Sequence, residues 1–191
     1  MTFKPENDGI DHINVYSLGK TNLGAKLSNF YKHTIVLTSD DIDAAIERKG
    51  HYPERTEFES IEGLWYWLQL YNPSKPDNRG YNTEVNELCH LSFAKAKRHG
   101  KTLRTRFLHR LPEDGYLDET EFRMIIMTAM TLRIITDPVT AIELAESTLP
   151  LDHYYVNKGV RKDAGHRWVI DFWEELRNEA KKSIRTFTSP E

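Results

Sequence analysis

Apolar positions along this chain fall mostly at helical spacing, with brief alternation near the start. Ile13-Asn14-Val15-Tyr16 alternates as a half-buried strand does, and Thr34-Ile35-Val36-Leu37 predicts a second short strand. Residues 1–10 are polar and are expected to form a loose N-terminal segment. Gly19 and Gly24 bracket a loop or a short helix that ends at Leu27-Ser28-Asn29-Phe30. The charged stretch 39–52 predicts a surface helix with Ile42, Ala45 and Ile46 on one side.

Ser60 is placed as the N-cap of a helix over 61–71, which holds the densest aromatic patch, Trp65, Tyr66 and Trp67. Pro73, Pro76 and Gly80 break the chain. Helix resumes over about 83–99, with Gly100 read as its C-cap, and 112–115 reads as a turn. Phe122, Ile125, Ile126 and Ala129 predict a helix that stops before Asp137-Pro138, followed by another over 139–146. After a loop over 147–165, a last amphipathic helix carries Val169, Phe172, Trp173, Leu176 and Ala180 on one stripe. No repeat and no low-complexity tract interrupts this pattern. It predicts an α+β, predominantly α-helical fold, one domain over residues 1–191 with a few short strands. No strand leads into GxGxxG or GxxxxGK[ST], which argues against the common nucleotide-binding folds.

Composition narrows the function classes. A length of 191 residues suits one domain with a real core. The formal net charge of −3 gives no global basic field of the kind that attracts nucleic acid. A local cluster, Lys95, Lys97, Arg98, Lys101, Arg104, Arg106 and Arg110, either holds phosphates or is a solvated helix face, the second being the plainer reading. A single cysteine, Cys89, rules out an intrachain disulfide and fits a reducing compartment. Its neighbours Leu88, Leu91 and Phe93 mark it as core packing. The start of the chain lacks a signal-peptide pattern, and no run approaches the roughly 20 apolar residues of a membrane span. The expectation is a cytoplasmic protein with no membrane partner.

HExxH, CxxC and GxSxG are all missing. Eight histidines are scattered without ligand spacing, so the expected chemistry is metal-free, cofactor-free and carried by carboxylates. Three constellations carry polar chemistry. Ser28-Asn29-Phe30 either hydrogen-bonds sugar hydroxyls or a base edge, or is a turn beside a core phenylalanine. Glu62 lies on the first turn of the aromatic helix, three residues before Trp65, so both can face one side. A carboxylate against an aromatic wall is desolvated, which suits general acid or base work. The plainer alternative is an acidic residue favouring a helix N-terminus. The segment 149–159 delivers Asp152, His153, Tyr154 and Tyr155 in succession after Pro150, as a functional loop or as a short strand with one tyrosine buried.

Taken in order, these segments resemble the NADAR family. The likeness runs from about Ile13 to Arg177. It covers Leu27-Ser28-Asn29-Phe30, then Ser60 two residues before Glu62 with Trp65 and Tyr66, then Ala94, Ala96, Gly100 and Lys101. It continues through the helix around Phe122 to the loop from Asp152 to Gly159 and the last helix with Trp173 and Arg177. The spelling resembles a divergent branch of the sort found in bacteria and phages. Gly63 stands where the family typically has histidine, Lys101 where it has arginine, and Tyr155-Val156 where it has tryptophan-glycine.

The resemblance implies an N-glycosidase or ADP-ribosyl glycohydrolase. Its substrate would be an ADP-ribose-containing or ribosylamine-type nucleotide, carried free or on ADP-ribosylated DNA or RNA. Glu62 and Asp152 would be the catalytic carboxylates, with Ser28 and Asn29 orienting ribose hydroxyls beside Phe30. Trp65 and Tyr155 would stack on base or sugar, Lys101 and Arg104 would neutralise phosphate, and His153 would line the same site. Two other classes stay open: a module that sequesters such nucleotides without cleaving them, and a nucleic-acid-binding protein acting through its basic helix.

Overall fold

Wherever apolar side chains recur every three or four residues the chain is helical, and strands occur only as three two-stranded pairs among the described residues. The computed structural model describes residues 3–47, 49, 52–74, 79–111 and 116–188. In chain order the strands are β1 (Ile13–Asn14), β2 (Ile35–Thr38), β3 (Arg55–Phe58), β4 (Leu151–Asp152), β5 (Tyr154–Asn157) and β6 (Val160–Asp163). The helices are α1 (Asn22–Leu27), α2 (Ser39–Ile46), α3 (Ile61–Leu70), α4 (Arg79–Asn86), α5 (Phe93–Phe107), α6 (Glu119–Thr136), α7 (Pro138–Glu146) and α8 (Arg167–Thr188). This is the predominantly helical α+β class that the pattern predicts. No single helix among the described residues is long and apolar enough to cross a membrane. Contacts divide the chain into two units, Met1–Asn29 with Ile134–Glu191, and Phe30–Arg133.

In the first unit, β1 and β4 pair in parallel, Ile13 opposite Leu151 and Asn14 opposite Asp152. The N-terminal segment is not loose from Phe3 onward. Asp8 is 6% exposed and its carboxylate accepts the backbone N–H of Asn14 at 2.9 Å and of Lys20 at 2.6 Å. His12, fully buried, sits between Asp11 (Nδ1 to Oδ1, 2.5 Å) and the Tyr154 hydroxyl (Nε2, 2.7 Å), with Phe3 stacked on its ring. Polar residues were a poor guide there because their partners lie elsewhere in the sequence. Helix α8 buries Val169, Ile170 and Trp173, and its Arg177 donates to the Leu149 carbonyl. The expected loop over 147–165 contains the hairpin β5–β6. Only Tyr154 of its ladder is buried, so no apolar alternation announces it.

In the second unit, β2 and β3 are antiparallel, Ile35 opposite Phe58. Thr38 and Asp41 form a reciprocal capping box that starts α2. Helix α3 starts where Ser60 Oγ accepts the Gly63 N–H at 3.1 Å while donating to the Leu91 carbonyl at 2.9 Å. Trp67, fully buried, stacks on Tyr71 and meets Phe58 edge-on. The helix expected over 83–99 is in fact broken. Helix α4 stops at Asn86, a 3-10 turn follows, and α5 runs through Gly100 to Phe107. Gly100 is not a cap: it is buried in mid-helix, and a β-carbon there would collide with the Tyr66 ring. The turn expected at 112–115 lies outside the described residues, as does part of the break at Pro73–Gly80.

Candidate functional site

Glu62 is the most unusual carboxylate of the second unit. It is the second residue of α3 and only 8% exposed. Burial raises its pKa from the usual carboxylate value to about 7, even though Lys97 and Lys101 pull it the other way. The two lysines belong to α5 and are one helical turn apart, so they lie on the same face of that helix. Desolvation therefore outweighs two nearby cations, because neither contacts the carboxylate as an ion pair among the described residues.

Two glycines create this juxtaposition. Gly100 lets α5 press against Tyr66, one turn beyond Glu62 on α3. A β-carbon at Gly63 would sit 2.5 Å from the Leu88 carbonyl oxygen and 3.1 Å from that of Leu91. Any larger residue at 63 would have to move that backbone. Burial, helped by the Glu62 charge, raises the Tyr66 phenol above its usual pKa, against the pull of Arg104.

Aromatic side chains complete the surroundings. Phe93 opens α5 with φ 53°, a left-handed conformation costly for a residue with a β-carbon, and its N–H donates to the Phe30 carbonyl at 3.1 Å. Lys97 Nζ lies 5.2 Å from the centre of the Phe30 ring. Trp65, half-buried, meets Phe122 of α6 edge-on at 4.8 Å. This unit thus holds Phe30, Glu62, Trp65, Lys101 and Arg104 of the expected site, and adds Tyr66 and Lys97. Chemically it offers a proton-exchanging carboxylate, exposed cations for phosphate and aromatic surface for a base.

The other expected residues belong to the first unit. Ser28, 2% exposed, is the C-cap of α1. Asn29 follows it, with its Oδ1 buried and lacking a hydrogen-bond partner among the described residues. Asp152 lies in β4 and is 9% exposed. One carboxylate oxygen accepts its neighbour's N–H from His153 at 2.8 Å, and the other accepts from Arg161 of β6 at 2.8 Å. Arg161 also pairs with Asp163 and lies over the Tyr154 ring at 4.7 Å. Tyr154 is the buried partner of the tyrosine pair, its phenol pushed up to about 12 chiefly by burial. Tyr155 points the other way along β5 and is 39% exposed.

Asp152 and His153 line a cleft of about 400 Å³, together with Phe3, Arg161, His166 and Arg167. Sequence reasoning missed Arg161, because the hairpin that carries it back to Asp152 has no apolar signature. It also missed Lys97 as a site residue, because ending the helix at Gly100 hid the common face of Lys97, Lys101 and Arg104. Cys89 is buried, its thiol pushed up to about 12 by desolvation, and plays the expected packing role. Among the described residues, no group of three or more His, Cys, Asp or Glu side chains is arranged to hold a metal ion. Compared with family models, with characterised proteins and with solved structures, the chain matches none.

Proposed function

We propose that this chain is a cytoplasmic, metal-independent N-glycosyl hydrolase acting on an ADP-ribose-type or ribosylamine-type nucleotide, with Glu62 as its working carboxylate. One observation carries the reading: a buried carboxylate with a pKa near 7, faced by Lys97 and Lys101 across two packed helices. Such a group exchanges a proton at neutral pH in either direction. Cleavage places oxocarbenium character on the anomeric carbon. Water oxygen bonds to that carbon as the C–N bond breaks, and the C–N bond pair goes to the leaving nitrogen. The water proton passes to the Glu62 carboxylate, which returns a proton to the leaving nitrogen, so the net change is addition of one water. Lys97, Lys101 and Arg104 suit the substrate phosphates, and Trp65 or Phe30 suits its base.

Asp152 is not given a chemical step. Arg161 balances its charge at 2.8 Å, and it belongs to the other unit. The commitment of that second carboxylate favours one alternative, a module that holds the nucleotide without cleaving it. The deciding experiment incubates wild type and Glu62→Gln with ADP-ribosylated guanine DNA, ADP-ribose and a ribosylaminouracil phosphate, followed by mass spectrometry. Hydrolysis by wild type, falling by about 10²- to 10⁴-fold in Glu62→Gln, is the expected result. Ligand retained by both proteins without product would replace the hydrolase with the binding module.

A further inference from the structure

Helix α5 carries Lys95, Lys97, Arg98, Lys101, Arg104 and Arg106 in its 15 residues and no acidic side chain. The chain as a whole has a net charge of −3, so this concentration is local. Ala96, Gly100, Leu103 and Phe107 turn one side of the helix into the core. On one edge the basic groups are neutralised: Arg106 pairs with Glu84 of α4, and His99 with Glu87 of the following 3-10 turn at 3.2 Å. Away from that edge the acids stop. Lys95, Arg98, Lys101 and Arg104 are exposed and form no ion pair among the described residues.

These four residues recur at every third position, each about 4.5 Å further along the axis, in a slanting row about 13.5 Å long. Ala94, Thr102 and Thr105, also exposed, are too small to obstruct it. A shallow cleft of about 250 Å³ lies against its first half, lined by Leu91, Lys95, Arg98, His99 and Thr102. Phe93 stands at the start of the helix, one turn before Lys97, and is 49% exposed. Its backbone is left-handed, at φ 53°. A phenylalanine held in the open at the cost of backbone strain offers a free stacking face beside the cations. At its far end the row reaches Lys101 and Arg104, whose charges act on Glu62 and Tyr66.

We propose that this face docks single-stranded nucleic acid, with the row of cations on successive backbone phosphates and Phe93 stacked on a base. A line of unneutralised cations suits a linear polyanion, because every phosphate it neutralises releases condensed counterions. The aromatic ring distinguishes a polynucleotide from an acidic polypeptide. It also distinguishes a single strand from a duplex, whose base faces are covered by their neighbours. The surface deepens the hydrolase reading by giving its nucleotide a polymeric carrier. Lys95 and Arg98 have no part in that reading, and docking needs no cleavage, so the two fail separately.

The test is fluorescence anisotropy of the full chain with a labelled single-stranded DNA oligonucleotide, the matching duplex and labelled polyglutamate over a range of salt. Saturable binding of the single strand is expected, its log affinity falling with log salt at a slope of about −2 to −3 for three or four phosphates. Lys95→Glu with Arg98→Glu should weaken binding at least about tenfold, while Lys95→Arg with Arg98→Lys should retain it. Phe93→Asn, which suits a left-handed backbone, should weaken single-strand binding about tenfold and leave the duplex unaffected. All three positions are exposed, so circular dichroism should not change. No saturable binding at low salt would overturn the proposal. So would equal affinity for the duplex or for polyglutamate, or single-strand binding unchanged by the charge reversal or by Phe93→Asn.

Discussion

Glu62 and Asp152 are equally hidden, at 8% and 9% exposure, and both have cations nearby. They differ in contact. Arg161 donates directly to Asp152 and shares its planar fork between two carboxylates. The lysines of α5 act on Glu62 only through space, and burial wins over them. A buried carboxylate with a bonded guanidinium is a structural charge. One whose cations stand off is a proton-exchanging group, and it costs the fold stability at neutral pH.

Removing the contact should destabilise the protein. Arg161→Met leaves the Asp152 carboxylate buried without its partner and should cost about 3 kcal/mol, at the low end for a buried pair because the cleft admits solvent. Chemical denaturation measures this, and adding Asp152→Asn should restore most of the loss. A loss below about 0.5 kcal/mol would make the pair a surface ornament and erase the contrast.

Glu62→Gln should act in the opposite direction. The native chain binds the Glu62 proton more tightly than the unfolded chain, since burial raises the pKa from 4.5 to about 7. The contribution of Glu62 to stability is therefore fully present below pH 4.5 and is lost as pH rises through 7. A glutamine stays neutral throughout, so it should stabilise the protein by about 3 kcal/mol at pH 8, with the gain vanishing towards pH 4. Denaturation midpoints of the two proteins across that range check both sign and window. A pH-independent difference would show that Glu62 does not titrate differently in the fold.

The same contrast explains what could be read from the sequence. Helices α3, α6, α7 and α8 carry dense apolar spacing or clear caps, and their positions follow from it. Most residues of strand β3 and the hairpin β5–β6 are exposed, so pairing alone defines them. Glu62 was legible because carboxylate and aromatic lie within one turn of the same helix. Of its two lysines, Lys101 was expected only through the family resemblance and Lys97 was not expected, because Gly100 reads as a helix stop and acts as the close-packing point against Tyr66. The Asp152–Arg161 pair was hidden for a related reason: it depends on a hairpin register and not on local spacing.

The most direct measurement is the titration of the Glu62 side-chain carboxyl by carbon-detected NMR, assigned with the Glu62→Gln variant. A midpoint near 7 would establish a proton-exchanging carboxylate between α3 and α5, the group on which the proposed hydrolysis depends. A midpoint near the ordinary value of 4.5 would mean that Lys97 and Lys101 outweigh burial. Glu62 would then be ionised at neutral pH, and the proposed proton transfer would lose its agent.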